Sequence, residues 1–112
     1  MAVRDLPKEE WESYLDGVSK QLKVTEAEVE VAGLNLGDQV EAEWIKCYGV
    51  SYDPKDDLVT VVLEGLDHIV YHPQKILVDE VDHKLLTIEV IDRDGIRHII
   101  NLREELPLLP KE

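Results

Sequence analysis

Apolar and polar residues alternate through the second half of the chain: Ile76 and Val78, then Leu86, Ile88 and Val90, then Ile96, Ile100 and Leu102. A period of two marks strands with one buried face. The stretch from Lys75 to Leu102 therefore predicts a three-stranded antiparallel meander. Its loops set the register. A three-residue Arg93-Asp94-Gly95 loop, with Gly95 left-handed after a type I turn, places Asp92 opposite Ile96 and yields the pairs Val90/His98, Ile88/Ile100 and Leu86/Leu102, all on one face. A two-residue Asp94-Gly95 turn would shift the pairing by one and set Arg97, Ile99 and Asn101 against core residues. An Asp82-His83-Lys84 loop in the preceding hairpin sets Val78 against Ile88 and Ile76 against Val90. Both loops lead to the same continuous apolar face.

At the amino terminus the period is helical. Trp11, Tyr14, Leu15, Val18 and Leu22 recur at three- and four-residue spacing and draw one apolar stripe. Pro7 suits the first helical position, flanked by Asp5 or Leu6 as cap, and Glu9 and Glu10 fall in the first turn, where the helix dipole favours anions. A helix over about 7–22 follows, packed on a sheet. From Val24 the period returns to two, with Thr25, Ala27, Val29 and Val31 alternating with Glu26, Glu28 and Glu30. Gly33 and Gly37-Asp38 signal a turn, and Gly49 a bulge. Setting Tyr52 opposite Leu58 pairs Tyr48 with Val62 and Lys46 with Glu64. The predicted strands cover about 24–31, 39–48, 58–63, 68–72, 75–81, 85–92 and 96–102, with an extended tail over 103–112 that carries Pro107 and Pro110. His68 to His72, stopped by Pro73, reads as an edge strand or extended connection. The architecture expected is α+β: one N-terminal helix on a curved, mainly antiparallel sheet or partly open barrel of about five to seven strands.

Length and charge narrow the partners. A chain of 112 residues supports one core and one domain. Hydrophobic content of 44% with regular periodicity argues against disorder despite a net charge of −13. With 25 acidic against 12 basic residues, phosphate contacts would be repulsive overall, so nucleic acid is not expected; a basic protein partner, or none, is the better expectation. No uncharged run approaches the roughly 20 residues that span a bilayer, and Met1 to Asp5 lacks the apolar core of a signal peptide. The single Cys47 cannot form an intrachain disulfide. The chain reads as cytoplasmic, with its oligomeric state open.

Candidate chemistry is sparse. His68 and His72 have the four-residue spacing of helical zinc ligands. Ile69-Val70-Tyr71 favours a strand, which would hold them roughly 13 Å apart, so no metal site is expected. Asp53, Asp56 and Asp57 lack the spacing and terminal Glu of a calcium loop and read as a solvated turn. Cys47 reads as a small buried thiol. His98, opposite Val90 near the turn, reads as a half-buried histidine with a backbone or carboxylate partner. There is no Gly-rich phosphate loop, nucleophile elbow or Cys-x-x-Cys motif, and neither catalytic residues nor a cofactor is expected.

Several blocks in order do carry a likeness: Pro7…Glu10-Trp11…Leu15, Leu36-Gly37-Asp38-Gln39-Val40-Glu41, Gly49 to Asp57, Asp67-His68-Ile69-Val70…His72-Pro73 and Ile91-Asp92-Arg93-Asp94-Gly95. Together they resemble a bacterial family of small acidic proteins, domain of unknown function 5335, over nearly the whole chain. The resemblance implies a small stand-alone domain and brings no activity with it. The function expected is therefore a cytosolic protein-interaction module without catalysis. Its candidate surface is Asp53, Asp56, Asp57, His68, Tyr71 and His72. The alternative is a small-molecule or metal-dependent activity at His68, His72 and Tyr71.

Overall fold

The apolar stripe near the amino terminus folds as a single 3-10 turn, Lys8–Glu10, running into helix α1, Trp11–Gln21. The computed structural model describes residues 3–22, 25–33 and 37–107; what was expected at Val24, at residues 34–36 and over 108–112 lies outside them. Trp11, Leu15 and Val18 are buried, with Tyr14 and Leu22 partly so. Pro7 stands just before the first turn in an extended conformation, φ −58° and ψ 142°, rather than inside it. The reason is that Asp5 and Leu6 are not caps. They belong to a strand, β1 (Val3–Leu6).

Seven further strands follow: β2 (Thr25–Gly33), β3 (Gly37–Asp53), β4 (Leu58–Leu63), β5 (Leu66–Tyr71), β6 (Pro73–Val81), β7 (Lys84–Asp92) and β8 (Arg97–Pro107). They form one sheet in the order β1-β6-β7-β8-β2-β3-β4-β5, with antiparallel pairings. The α+β class stands, but the described residues form eight strands rather than five to seven. β1 is the addition: three of its four residues are exposed, so no buried alternation announces it. The expected tail also begins later, because β8 pairs Leu106 with Leu85 and Pro107 with Lys84.

The sheet is rolled. β5 and β6 are joined by His72 alone, yet one is an edge strand and the other lies next to the opposite edge. Two residues of chain span at most about 7 Å, so the far end of the sheet has to curl back to the near end. Among the described residues the roll is not closed, since β1 and β5 remain edges. Helix α1 ties its two sides together. Ser19 Oγ donates to the Val50 carbonyl (2.6 Å) and accepts from the Val50 amide (2.9 Å) on β3, and the Tyr14 hydroxyl donates to Glu80 on β6. Gly49 permits the Ser19 contact, for a Cβ there would stand 3.2 Å from Ser19 Oγ. Trp11 donates its indole N–H to the Leu6 carbonyl at 2.8 Å and meets the Tyr52 ring edge-on, 5.2 Å between centroids.

The meander register agrees with the alternation at its centre. Ile88 pairs with Ile100, Val90 with His98, Val78 with Ile88 and Ile76 with Val90. The upper loop is the three-residue form: Gly95 has φ +79°, and the Asp92 amide donates to the Ile96 carbonyl at 3.0 Å. The lower loop differs. Val81 pairs directly with Lys84, and Asp82 and His83 both take positive φ, a two-residue primed turn suited to strand twist. Leu86 then bulges as the extra residue, which restores Asp79 to Thr87, and Leu102 does not meet Leu86. The β3–β4 hairpin compensates similarly. Asp53, not Tyr52, pairs with Leu58; Tyr48 bulges between Cys47 and Gly49, and Lys46 regains Glu64 at 3.7 Å.

Candidate functional site

Three polar side chains join across the inside of the roll. Alternation puts His68 and Val70 on the inner face of β5 beside Val61 and Val59 of β4, and His98 on the inner face of β8 beside Val31 and Val90. Rolling brings these two inner faces together. His68 Nε2 lies 2.9 Å from His98 Nδ1, and His98 Nε2 lies 2.9 Å from Asp92 Oδ2. Asp92 Oδ1 accepts the amides of Asp94 (2.9 Å) and Ile96 (3.0 Å), so the β7–β8 turn itself anchors the chain. His98 is the only buried polar or charged residue described, 8% exposed.

The hydrogens of this chain follow from its end. Burial pushes the Asp92 carboxyl up, but the hydrogen bonds from His98 and the two amides outweigh it and hold the group below the ordinary carboxylate range. An ionised carboxylate only accepts, so His98 Nε2 carries the hydrogen. With His98 neutral, its Nδ1 is the acceptor for a hydrogen on His68 Nε2. Burial, reinforced by the neighbouring His98 and opposed by Glu41, moves His68 below the ordinary histidine value.

A second polar group sits where the β3–β4 loop meets His72. Asp57 accepts the Tyr52 hydroxyl at 2.8 Å, its carboxylate lies 3.4 Å from His72 Nδ1, and its carbonyl accepts the His72 amide at 2.9 Å. The bond from Tyr52, with a further contribution from His72, holds the Asp57 carboxyl low. Burial and the Asp57 carboxylate push the Tyr52 hydroxyl up to about 12. Asp57 and His72 both have positive φ, 52° and 53°, a conformation side chains tolerate only where the surroundings fix it. The group borders an open cleft of about 310 Å³ lined by Lys8, Glu9, Glu12, Tyr52, Pro54 and Asp57.

The outer face of β3–β4–β5 is apolar as well as the inner one. Tyr48 is 51% exposed, Val62 37%, Ile69 38% and Tyr71 60%. Tyr71 lies beside Leu58, Ile69 beside Thr60, and Val62 beside Gly49 at the Tyr48 bulge. The patch ends at the open side of β5.

The sequence candidates separate into these three places. His68 faces inward to His98, His72 bonds to Asp57, and Tyr71 points to the outer face. They do not converge. Asp53 Oδ1 accepts the Lys55 (2.9 Å) and Asp56 (3.3 Å) amides as a turn-former, and Asp56 is exposed. Cys47 is buried and free, and burial pushes its thiol up, away from nucleophilic use. Among the described residues no group of three or more His, Cys, Asp or Glu is arranged to hold a metal, and no helix is long and apolar enough to cross a membrane. Sequence reasoning gave His98 a backbone or carboxylate partner, of which the structure shows the carboxylate of Asp92, but missed its link to His68, which depends on the roll. It also missed Tyr48, Val62 and Ile69 as a patch, although their strand pairing exposes them.

Fold and polar groups together define a small α+β domain on a rolled, unclosed antiparallel sheet. Residues 2–111 match the model of a family of unknown function, DUF5335, and the chain belongs to that family. It is similar to an uncharacterized protein of Aquifex aeolicus (strain VF5), 46% identical over 109 residues that cover 96% of this chain and 98% of the relative. No solved structure matches it.

Proposed function

We propose that the protein is a non-enzymatic interaction module whose β5 edge receives an extended segment of a partner protein. The supporting observation is the outer-face patch of Tyr48, Val62, Ile69 and Tyr71, which runs to a strand with no neighbour on its far side among the described residues. An open edge offers main-chain hydrogen bonds, and alternate side chains of an added strand would rest on the patch. Carboxylates of Asp53, Asp56, Glu64 and Asp67 surround it, so the segment that fits alternates apolar with basic residues. The same charge, −13 over the chain, disfavours a second copy as the occupant.

Selection of displayed peptides tests the reading. The expected outcome is enrichment of apolar–basic alternating sequences, whose binding shifts β5 and β4 amide resonances and is lost in Ile69→Lys and Tyr71→Lys variants. Enriched peptides that bind elsewhere, or self-association through β5 in sedimentation, would sink it.

A further inference from the structure

We propose that the Asp92–His98–His68 chain is an acid-operated latch: it holds edge strand β5 to the β7–β8 hairpin at neutral pH and releases it when both imidazoles take up a proton.

Geometry carries this. Among the described residues β5 is paired through the sheet only to β4. On its inner face the polar link to the other side of the roll is the 2.9 Å contact between His68 and His98. The two nitrogens that face each other there share one hydrogen. With both imidazoles neutral the arrangement is complete: Asp92 accepts from His98, and His98 accepts from His68.

One added proton can be accommodated. It can sit on His68 Nδ1, which leaves the Nε2–H donor in place. It can also sit on His98 Nδ1, provided that His68 moves its own hydrogen to Nδ1 and accepts. A second proton cannot. Both facing nitrogens would then carry hydrogens at 2.9 Å, with no acceptor between them and two like charges in a part-buried site. Separation of the rings is the relief, and β5 is the element free to move, because Asp92 and His98 are held by the turn and by β2 and β7.

The surrounding charges set the direction. Facing the pair are the carboxylates of Asp92 from β7, 2.9 Å from His98 Nε2, and of Glu41 from β3, which favours a charged His68. Burial and the partner ring outweigh Glu41, so His68 protonates below the ordinary histidine value of about 6.5. Release therefore belongs to mild acid. Because β5 is also the proposed docking edge, the latch would couple that edge to pH, but its test needs no partner.

The test is amide exchange of residues 66–71, expressed as protection factors, from about pH 8 to about pH 5, on either side of the ordinary histidine value. Protection of β5 in the unmodified protein should fall by up to about tenfold per pH unit where the second proton is being bound, while β7 stays protected. In His68→Gln the amide group still donates to His98 but cannot titrate, and β5 protection should be flat over the same range. NMR titration followed at the His68 and His98 rings should show two linked steps in the unmodified protein, and at His98 a single step in the variant. Equal loss of β5 protection in both proteins, or none in the unmodified one, would overturn the latch.

Discussion

The β6–β7–β8 meander and the β3–β4–β5 meander are the same motif used differently. In the first, the inner face is apolar (Ile76, Val78, Ile88, Val90, Ile100), and the outer face is tied by Thr87–Asn101 and Arg97–Glu89 contacts. In the second, the inner face is again apolar, through Val50, Val59, Val61 and Val70, yet large apolar side chains also stand outside. Burial explains the inner faces of both, because apolar area removed from water stabilises by roughly 25 cal/mol per Å². It accounts for only part of Tyr48, Val62, Ile69 and Tyr71, which keep between 37% and 60% of their surface exposed. One meander is used up by stability, and the other keeps surface in reserve.

Substitutions can break or sharpen that contrast. The largest effect is expected from Ile88→Ala at the centre of the first meander, a loss of about 2–5 kcal/mol in urea unfolding from transfer and cavity together. Next comes Ser19→Ala, which strips the Val50 amide and carbonyl of their helix partner; a loss of about 1–3 kcal/mol is expected by the same measurement. Gly95→Ala forces a side chain to φ +79° and should cost about 1–2 kcal/mol, read as a lower urea midpoint with unchanged slope. At the other extreme, Tyr71→Ala should change stability by no more than about 0.5 kcal/mol while abolishing peptide binding. A Tyr71→Ala loss as large as that of Ile88→Ala would erase the distinction between the two meanders.

The pH dependence of stability separates the same regions. His68 has a lowered folded-state pKa, so its contribution is full above the ordinary histidine value and declines as pH falls below it. Asp92 is also lowered, so its contribution persists above the ordinary carboxylate range and is lost as pH falls through the folded-state value. Thermal unfolding should therefore weaken in two stages on acidification, the first absent in His68→Gln.

Much of this was legible in the residues, and the exceptions have a common cause. Alternation gave the centre of the meander and the Gly95 loop, because burial of one face and a positive φ both leave marks in sequence. It also gave the helix stripe from Trp11 to Val18. Both misplaced hairpins failed at bulges, Leu86 and Tyr48, where an extra residue cancels an error in the loop without disturbing the pattern beyond it. β1 escaped because a short, mostly exposed edge strand buries almost nothing. The His68–His98 contact was invisible for a different reason: it is made by the roll, and no local pattern encodes how far a sheet curls.

The position of β2 has a kinetic meaning. On one side it pairs with β3, which follows it directly; on the other it pairs Val29 with Ile100 on the last strand. Bringing those two together closes a loop of most of the polypeptide, an entropic toll met before the contact returns anything. A ribosome-bound chain can thus form its early hairpins but leaves β2 half-paired until β8 has left the exit tunnel. Completion of the sheet waits for β8.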